Sequence, residues 1–267
     1  QVHLPPIASS VSTFSQVKSD GEHDDDEGIK YVDNLQVVGG ILGKTFKANG
    51  DFVGTPQAQW FRQQARTGTA VFKPITGATD LEYEPNADDV GACLRLECVG
   101  PYGGAATAVE TSPLALDPQM HAELQENLRR GHAEFHAHNQ MQEPRIILVT
   151  RKNIKVRSKL SRIATSSHTL YKQGYDLPVT VVVDQHGPTE MELKLGEQSF
   201  SLSMDSQRSR DLAVLCIRMF AGPNCPAHDS DSDDDSGHDG GESSDGASES
   251  HKSGASESKS GGPIGFS

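Results

Sequence analysis

The sequence has few cysteines, and their positions do not fit a disulfide framework. Four occur in 267 residues. Cys93 and Cys98 are five positions apart, so a strand would point them to opposite faces and they could not pair with each other. A chain without an obvious disulfide is typical of a reducing compartment. The sequence therefore predicts a cytoplasmic location.

Long apolar runs and catalytic motifs are also missing. No stretch of about 18 apolar residues and no secretory leader occurs, so we expect no transmembrane segment. The sequence contains no Gly-x-Ser-x-Gly elbow, phosphate-binding loop, His-Glu-x-x-His motif or dinucleotide fingerprint. The neighbouring carboxylates of Asp88 and Asp89 lie at a predicted turn, where we expect them to end a strand. We therefore predict no enzyme activity, no catalytic residues and no cofactor.

The net charge of −13 is confined to the two ends of the chain. Residues 1–28 carry six acidic residues against one lysine, and residues 228–267 carry ten against two lysines, so residues 29–227 are neutral. Such acidic, Ser-rich segments cannot bury enough apolar surface to fold alone. We predict a disordered acidic linker over 1–28 and a disordered Ser/Asp/Glu tail over 223–267. Because the chain begins with glutamine, we expect it to be a fragment of something longer or a processed product.

The single tryptophan marks the centre of the first predicted domain. Short strands separated by turn residues fill residues 29–116, a spacing typical of an all-β sandwich. Trp60 would face inward between two sheets, with Leu94 and Leu96 on an alternating strand as further core residues. An immunoglobulin-like sandwich is the best fit, although Phe46 stands where an antibody domain would carry its first core cysteine. The missing disulfide weakens an extracellular adhesion role.

The second half follows a different pattern. Asp117 followed by Pro118 predicts the start of a connecting helix over 117–131. Residues 132–222 then predict seven strands and one helix beginning at Asp205, which is the order of a pleckstrin-homology-like domain. The expected fold class is therefore mainly β: an immunoglobulin-like sandwich followed by a pleckstrin-homology-like domain.

Several phrases of the first domain resemble a known repeat. They are Trp60-Phe61-Arg62, Ile75-Thr76-Gly77-Ala78-Thr79, Tyr83-Glu84-Pro85 and Asp88-Asp89-Val90-Gly91. Together they resemble one repeat of the auxin-induced-in-root, or AIR-nine, family of microtubule-associated proteins, over residues 33 to 116. The segment ending near Arg210-Asp211 and Arg218-Met219 resembles the region C-terminal to the last repeat in that family. The resemblance implies the C-terminal part of such a protein, with microtubules or another cytoskeletal protein as partner.

A run of basic residues is the most informative charge feature of the neutral middle. No acidic residue interrupts residues 145–162. A strand with Ile154 and Val156 inward would turn Lys155, Arg157 and Lys159 outward. The candidate partner-binding residues are Arg151, Lys152, Lys155, Arg157, Lys159 and Arg162. Such a row could attract tubulin tails, anionic lipid or nucleic acid, or could be a solvated strand face protected by lysines.

Two other binding roles have weaker support in the sequence. His132, His136 and His138 would face one way on a strand, but no cysteine or carboxylate cluster accompanies them, so we expect no metal site. The first strand and loop of the second domain lack the bases that lipid-binding pleckstrin-homology domains carry.

The sequence therefore favours a non-enzymatic docking or spacer module of the cytoskeleton. The alternative is a membrane adaptor that binds phosphoinositides. We do not expect nucleic-acid binding.

Overall fold

The described residues are mainly β, with two α-helices, both of which follow residue 117. The computed structural model describes residues 16–17, 31–64, 71–159, 167–184 and 187–222. The predicted linker over 1–28 lies outside the described residues except for Gln16–Val17, which form a two-residue strand, and the predicted tail over 223–267 lies outside them entirely. The mainly β fold class with a C-terminal helix is confirmed.

Two sheets form the first half. The larger sheet has the strand order β1-β8-β7-β4-β5 and the smaller one the order β2-β3-β6. The strands are β1 (Gln16–Val17), β2 (Val32–Val38), β3 (Phe46–Phe52), β4 (Gln57–Gln64), β5 (Val71–Pro74), β6 (Glu82–Tyr83), β7 (Leu94–Val99) and β8 (Thr107–Glu110). Each strand-to-strand pairing within them is antiparallel, so short loops can connect the strands.

Trp60 on β4 has no exposed surface and contacts residues of the opposite sheet. Its ring stacks on Tyr83 of β6 at 5.5 Å between centroids, and Phe46 of β3 lies at 5.7 Å. The indole Nε1 donates to the carbonyl of Asp80 at 2.8 Å, which avoids the cost of a buried, unpaired donor. Leu94 and Leu96 of β7 are also fully buried. Phe46, at the position predicted for the first core cysteine of an antibody domain, thus packs on the tryptophan.

An acidic corner, residues 85–89, connects β6 to β7 and contains a short 3-10 helix, Ala87–Asp89. The side chain of Asn86 caps it by accepting from the N–H of Asp88 at 2.8 Å. Asp89 is completely buried and accepts from Arg62 Nε at 2.7 Å, the Tyr83 hydroxyl at 2.9 Å and the Asn86 N–H at 2.9 Å. Asp89 is therefore the polar centre of the sandwich as well as a strand-ending residue.

The second half is a seven-stranded antiparallel sheet with the order β12-β11-β10-β9-β15-β14-β13. Its strands are β9 (His132–His138), β10 (Pro144–Thr150), β11 (Asn153–Lys159), β12 (Ser167–Gly174), β13 (Val179–Val183), β14 (Glu190–Leu195) and β15 (Gln198–Ser203). Helix α1 (Pro118–Arg130) precedes the sheet and helix α2 (Gln207–Ala221) follows it. Neither helix is long and apolar enough to cross a membrane.

Helix α2 begins at Gln207, two residues later than the sequence predicts. Ser206 is its N-cap, and the Ser206 hydroxyl accepts from the N–H of Ser209 at 3.1 Å. Burial extends along the helix from Arg210 to Ile217, because α2 packs against the sheet, against α1 and against the acidic corner. A helix enclosed in this way connects the two halves of the molecule.

Candidate interaction surface: a basic sheet face

Strand β11 separates its apolar and basic side chains onto two faces. Ile154 and Val156 are completely buried beneath the sheet. Lys155 and Arg157 alternate with them and are partly exposed on the other face. The side-chain alternation predicted for β11 is therefore present at these four positions.

A third cation, Lys172 on β12, joins this face. It lies directly across from Lys155 in the register, and it is exposed. We call Lys155, Arg157 and Lys172 the basic face. Like charges directly opposite each other on neighbouring strands destabilise a sheet. The fold therefore carries a small unfavourable charge pairing at this position.

Apolar residues of β10 lie beside the basic face. Ile146 is opposite Arg157 and Leu148 is opposite Lys155 in the β10–β11 register. Ile146 retains only 8% of its surface exposed, although it alternates with the inward residue Ile147. Two cross-strand rows, each an apolar residue next to a cation, thus run side by side over this part of the sheet.

The three cations of the basic face have no ion pair with any other residue that the structure describes. Other cations of the same sheet do have partners. Lys194 of β14 lies 3.3 Å from Glu192, and Arg145 of β10 lies 2.5 Å from Glu143. Within the described ranges, the Nε of Arg157 is buried and has no hydrogen-bond partner. The basic face is therefore a local excess of positive charge that the surrounding fold does not neutralise.

The other predicted partner-binding residues lie elsewhere. Arg151 is in the turn after β10, where its Nη2 donates to the carbonyl of Arg129 at 3.0 Å at the end of α1. Gly131, the left-handed C-cap of that helix, allows this approach, since a Cβ there would lie 2.7 Å from Arg151 Nε. A cation at a helix C-terminus is electrostatically favourable, so Arg151 has a structural partner.

The last three predicted partner-binding residues lie outside the basic face or outside the described residues. Lys152 is exposed in the same turn, next to Arg151. Lys159 ends strand β11, and Arg162 lies outside the described residues. The structure thus brings Lys155 and Arg157 together with Lys172, which sequence reasoning missed. Alternation along β12 places Lys172 on the face opposite Gln173 and Tyr171, but only the register between β11 and β12 shows that it lies across from Lys155.

The three histidines of β9 point to the outer face of the sheet, where His132 and His136 are exposed and His138 is partly exposed. His136 Nε2 lies 3.9 Å from Glu134 Oε1. No three His, Cys, Asp or Glu side chains come together as a metal site in the part of the chain that the structure describes.

Comparison with known proteins gives one relevant similarity. No protein-family model matches the chain. The chain is 26% identical over 219 residues to the 187-kDa microtubule-associated protein AIR9 of Arabidopsis thaliana. The alignment covers 73% of this chain but 12% of the relative's length. This similarity supports a distant relationship to AIR9, while the types of domain named from the sequence stay predictions.

Proposed function

We propose that this chain is a non-enzymatic interaction module of the cytoskeleton, which docks on an acidic protein surface of a microtubule-associated assembly. The distant relationship to a microtubule-associated protein supports the cytoskeletal setting and a cytoplasmic location. The basic face supports the mode of docking. Because the chain spans 12% of that relative's length, the proposal concerns this segment alone.

The observation that carries the proposal is the unpartnered pair of Lys155 and Lys172. Two lysines placed opposite each other, with no ion pair to any carboxylate that the structure describes, reduce the stability of the sheet. An acidic partner, such as the tails of tubulin, would neutralise both lysines at once. It would also steer the encounter, because complementary potentials raise association rates.

The apolar residues beside the basic face indicate which kind of acidic partner fits. Ile146 and Leu148 lie beside Arg157 and Lys155 in the sheet. An extended peptide with carboxylates and an occasional apolar side chain would contact the cations and the partly exposed Leu148, whereas Ile146 is buried. Because these side chains lie on the face of a sheet, an extended peptide fits them better than a compact ligand, which would need a concave pocket.

A charge reversal of the basic face tests the proposal. We expect Lys155→Glu with Arg157→Glu to weaken co-sedimentation with microtubules at least about tenfold, which corresponds to about 1.4 kcal/mol. The matched control is Lys194→Glu on β14 of the same sheet, which should bind as the native chain does. Binding of the native chain should also weaken as salt is raised, because exposed charges are screened.

Two outcomes would contradict the proposal. One is unchanged co-sedimentation of the double variant while the chain stays folded. The other is binding of the native chain to phosphoinositide vesicles without binding to microtubules, which would favour the membrane-adaptor alternative.

A further inference from the structure

The acidic corner of the sandwich contacts one side of helix α2. Three α2 residues, Gln207, Asp211 and Arg218, bond to the corner, and they are spaced by four and seven positions. Residues with this spacing lie on one face of an α-helix. We call this contact the corner–helix interface.

The backbone of the corner is bonded by α2 at several points. Gln207 Nε2 donates to the carbonyl of Pro85 at 3.1 Å. The N–H of Ala87 donates to Asp211 Oδ1 at 3.1 Å, and the carbonyl of Ala87 accepts from Arg218 Nη1 at 3.2 Å. Both polar backbone groups of Ala87 are therefore satisfied by α2.

Charged side chains add a second layer to the corner–helix interface. Arg218 Nη2 forms an ion pair with Asp88 Oδ1, and the same nitrogen donates to the carbonyl of Val181 on edge strand β13 at 3.3 Å. The side chains of Asp88 and Arg218 are 11% and 13% exposed. One guanidinium thus bonds the sandwich and the seven-stranded sheet at the same time.

A buried ion pair supports the helix side of the interface. Arg210 Nε donates to Asp211 Oδ1 at 3.0 Å, and both residues are 1% exposed. Asp211 Oδ1 thus accepts from Arg210 and from the corner backbone. Separation of the corner from α2 would leave Asp211 without the N–H of Ala87 and would leave Asp88 and Arg218 without each other. Such a loss is costly for charges that remain buried.

Domains within one chain move relative to each other by default unless their interface is large and hydrophobic. Here buried or partly buried hydrogen bonds and a largely buried ion pair join the two sides. We propose that the corner–helix interface couples the sandwich to the seven-stranded sheet, so that the two move and unfold as one body. The basic face is then presented in one fixed orientation relative to the sandwich. This coupling does not depend on what the basic face binds.

The chain contains a probe for each half. Trp60 is the only tryptophan and lies in the sandwich core, so its fluorescence reports the sandwich. Both described helices flank the seven-stranded sheet, so circular dichroism at 222 nm mainly reports that half. In urea unfolding of the whole chain, we expect the two probes to give coincident transitions, as required of a single cooperative unit.

Weakening the interface should separate those transitions. For Asp88→Asn, which keeps the shape of the corner and removes the charge opposite Arg218, we expect the two midpoints to move apart by about 0.5 M urea or more. Arg218→Ala should separate them further. Lys47→Ala is the matched control: it breaks the ion pair between Lys47 and Glu82, which are 59% and 60% exposed, and the transitions should stay coincident.

Two results would overturn the coupling. The first is a native chain whose two probes already unfold at different urea concentrations. The second is an Asp88→Asn chain whose probes still coincide at the native midpoint. If Arg218→Ala fails to fold, Arg218→Lys serves in its place, because lysine retains the charge but has one donor nitrogen where arginine uses two. Coincident transitions in that variant would also count against the proposal.

Discussion

The acidic corner and the basic face are both clusters of charged residues, but the fold treats them in opposite ways. In the corner, Asp88 and Asp89 are partnered by Arg218 and Arg62 and are shielded from solvent. On the basic face, Lys155 lies beside Lys172 and has no ion pair with any described residue. The comparison separates charges that hold the molecule together from charges that are available to a partner.

This difference has a physical basis in burial. A buried charge must be paired, since removal of one partner exposes the full desolvation cost of the other. An exposed charge is tolerated without a partner because water and salt screen it. Mutation of the corner should therefore change stability, and mutation of the basic face should change binding.

The largest effect is expected for Asp89→Ala. The variant leaves Arg62, the Tyr83 hydroxyl and the Asn86 N–H without their acceptor in the sandwich core. We expect the free energy of unfolding to fall by about 3–5 kcal/mol, measured by urea denaturation followed through Trp60 fluorescence. A loss below about 1 kcal/mol would mean that the buried charge of Asp89 contributes no more to stability than an exposed charge does.

A pH dependence is expected next, from Asp211. Burial raises the pKa of Asp211 from its ordinary value of 3.8 to about 6, while Arg210 and the N–H of Ala87 act in the opposite direction and Asp88 raises it further. The folded state therefore holds a proton that the unfolded state has released. This contribution to stability is full below the unfolded pKa and is lost as the pH rises through about 6.

When the pH is lowered from 7.5 to 5, the free energy of unfolding of the native chain should accordingly rise by about 1 kcal/mol relative to that of Asp211→Asn. The measurement is the difference in the free energy of unfolding between the two chains at each pH. The use of a difference removes the contribution of carboxylates such as Glu126, whose pKa is lowered by Arg129 and Arg130 and whose effect has the opposite sign. A difference that stays constant over this range would place the pKa of Asp211 near its ordinary value.

A smaller effect of opposite sign is expected for Lys155→Thr. Removal of the charge opposite Lys172 should raise stability by up to about 1 kcal/mol, because threonine also suits a strand. Microtubule co-sedimentation should weaken in the same variant. Lys194→Thr, which removes a lysine partnered by Glu192, is the control and should leave binding unchanged. A loss of stability in Lys155→Thr would show that the lysine supports the sheet.

The smallest effect is expected for the exposed ion pair of Lys47 and Glu82. Lys47→Ala should change the free energy of unfolding by no more than about 0.5 kcal/mol, measured by urea denaturation. A larger loss would contradict the expectation that exposed charges contribute less to stability than the buried charges of the corner.

The sequence predicted local features well. The alternation of Leu94 and Leu96 indicated a strand, and the single tryptophan indicated the buried centre, because periodicity directly reflects which face a side chain occupies. The order of strands and the helix in residues 132–222 can be read from the same kind of pattern.

Features that depend on pairing over long distances were not predictable. Asp88 and Arg218 are 130 positions apart. Each belongs to a separate sequence motif, and neither motif indicates that the two side chains are in contact. Lys172 was missed because its place opposite Lys155 depends on the register between β11 and β12. Beyond that pair the register shifts, so that Tyr171 faces Val156, Thr169 faces Arg157 and Leu170 has no partner across the ladder. A bulge of this kind depends on the neighbouring strand and leaves little trace in the sequence.

The part played by Ala87 affects how the corner can vary among related chains. Helix α2 bonds to main-chain atoms at this position, and every residue except proline has the same pair of them. Identity at position 87 is therefore restricted mainly by size, because its side chain is 3% exposed. Substitution at this site could leave the corner–helix interface intact, so distant relatives would preserve this contact better than they preserve the residue identities.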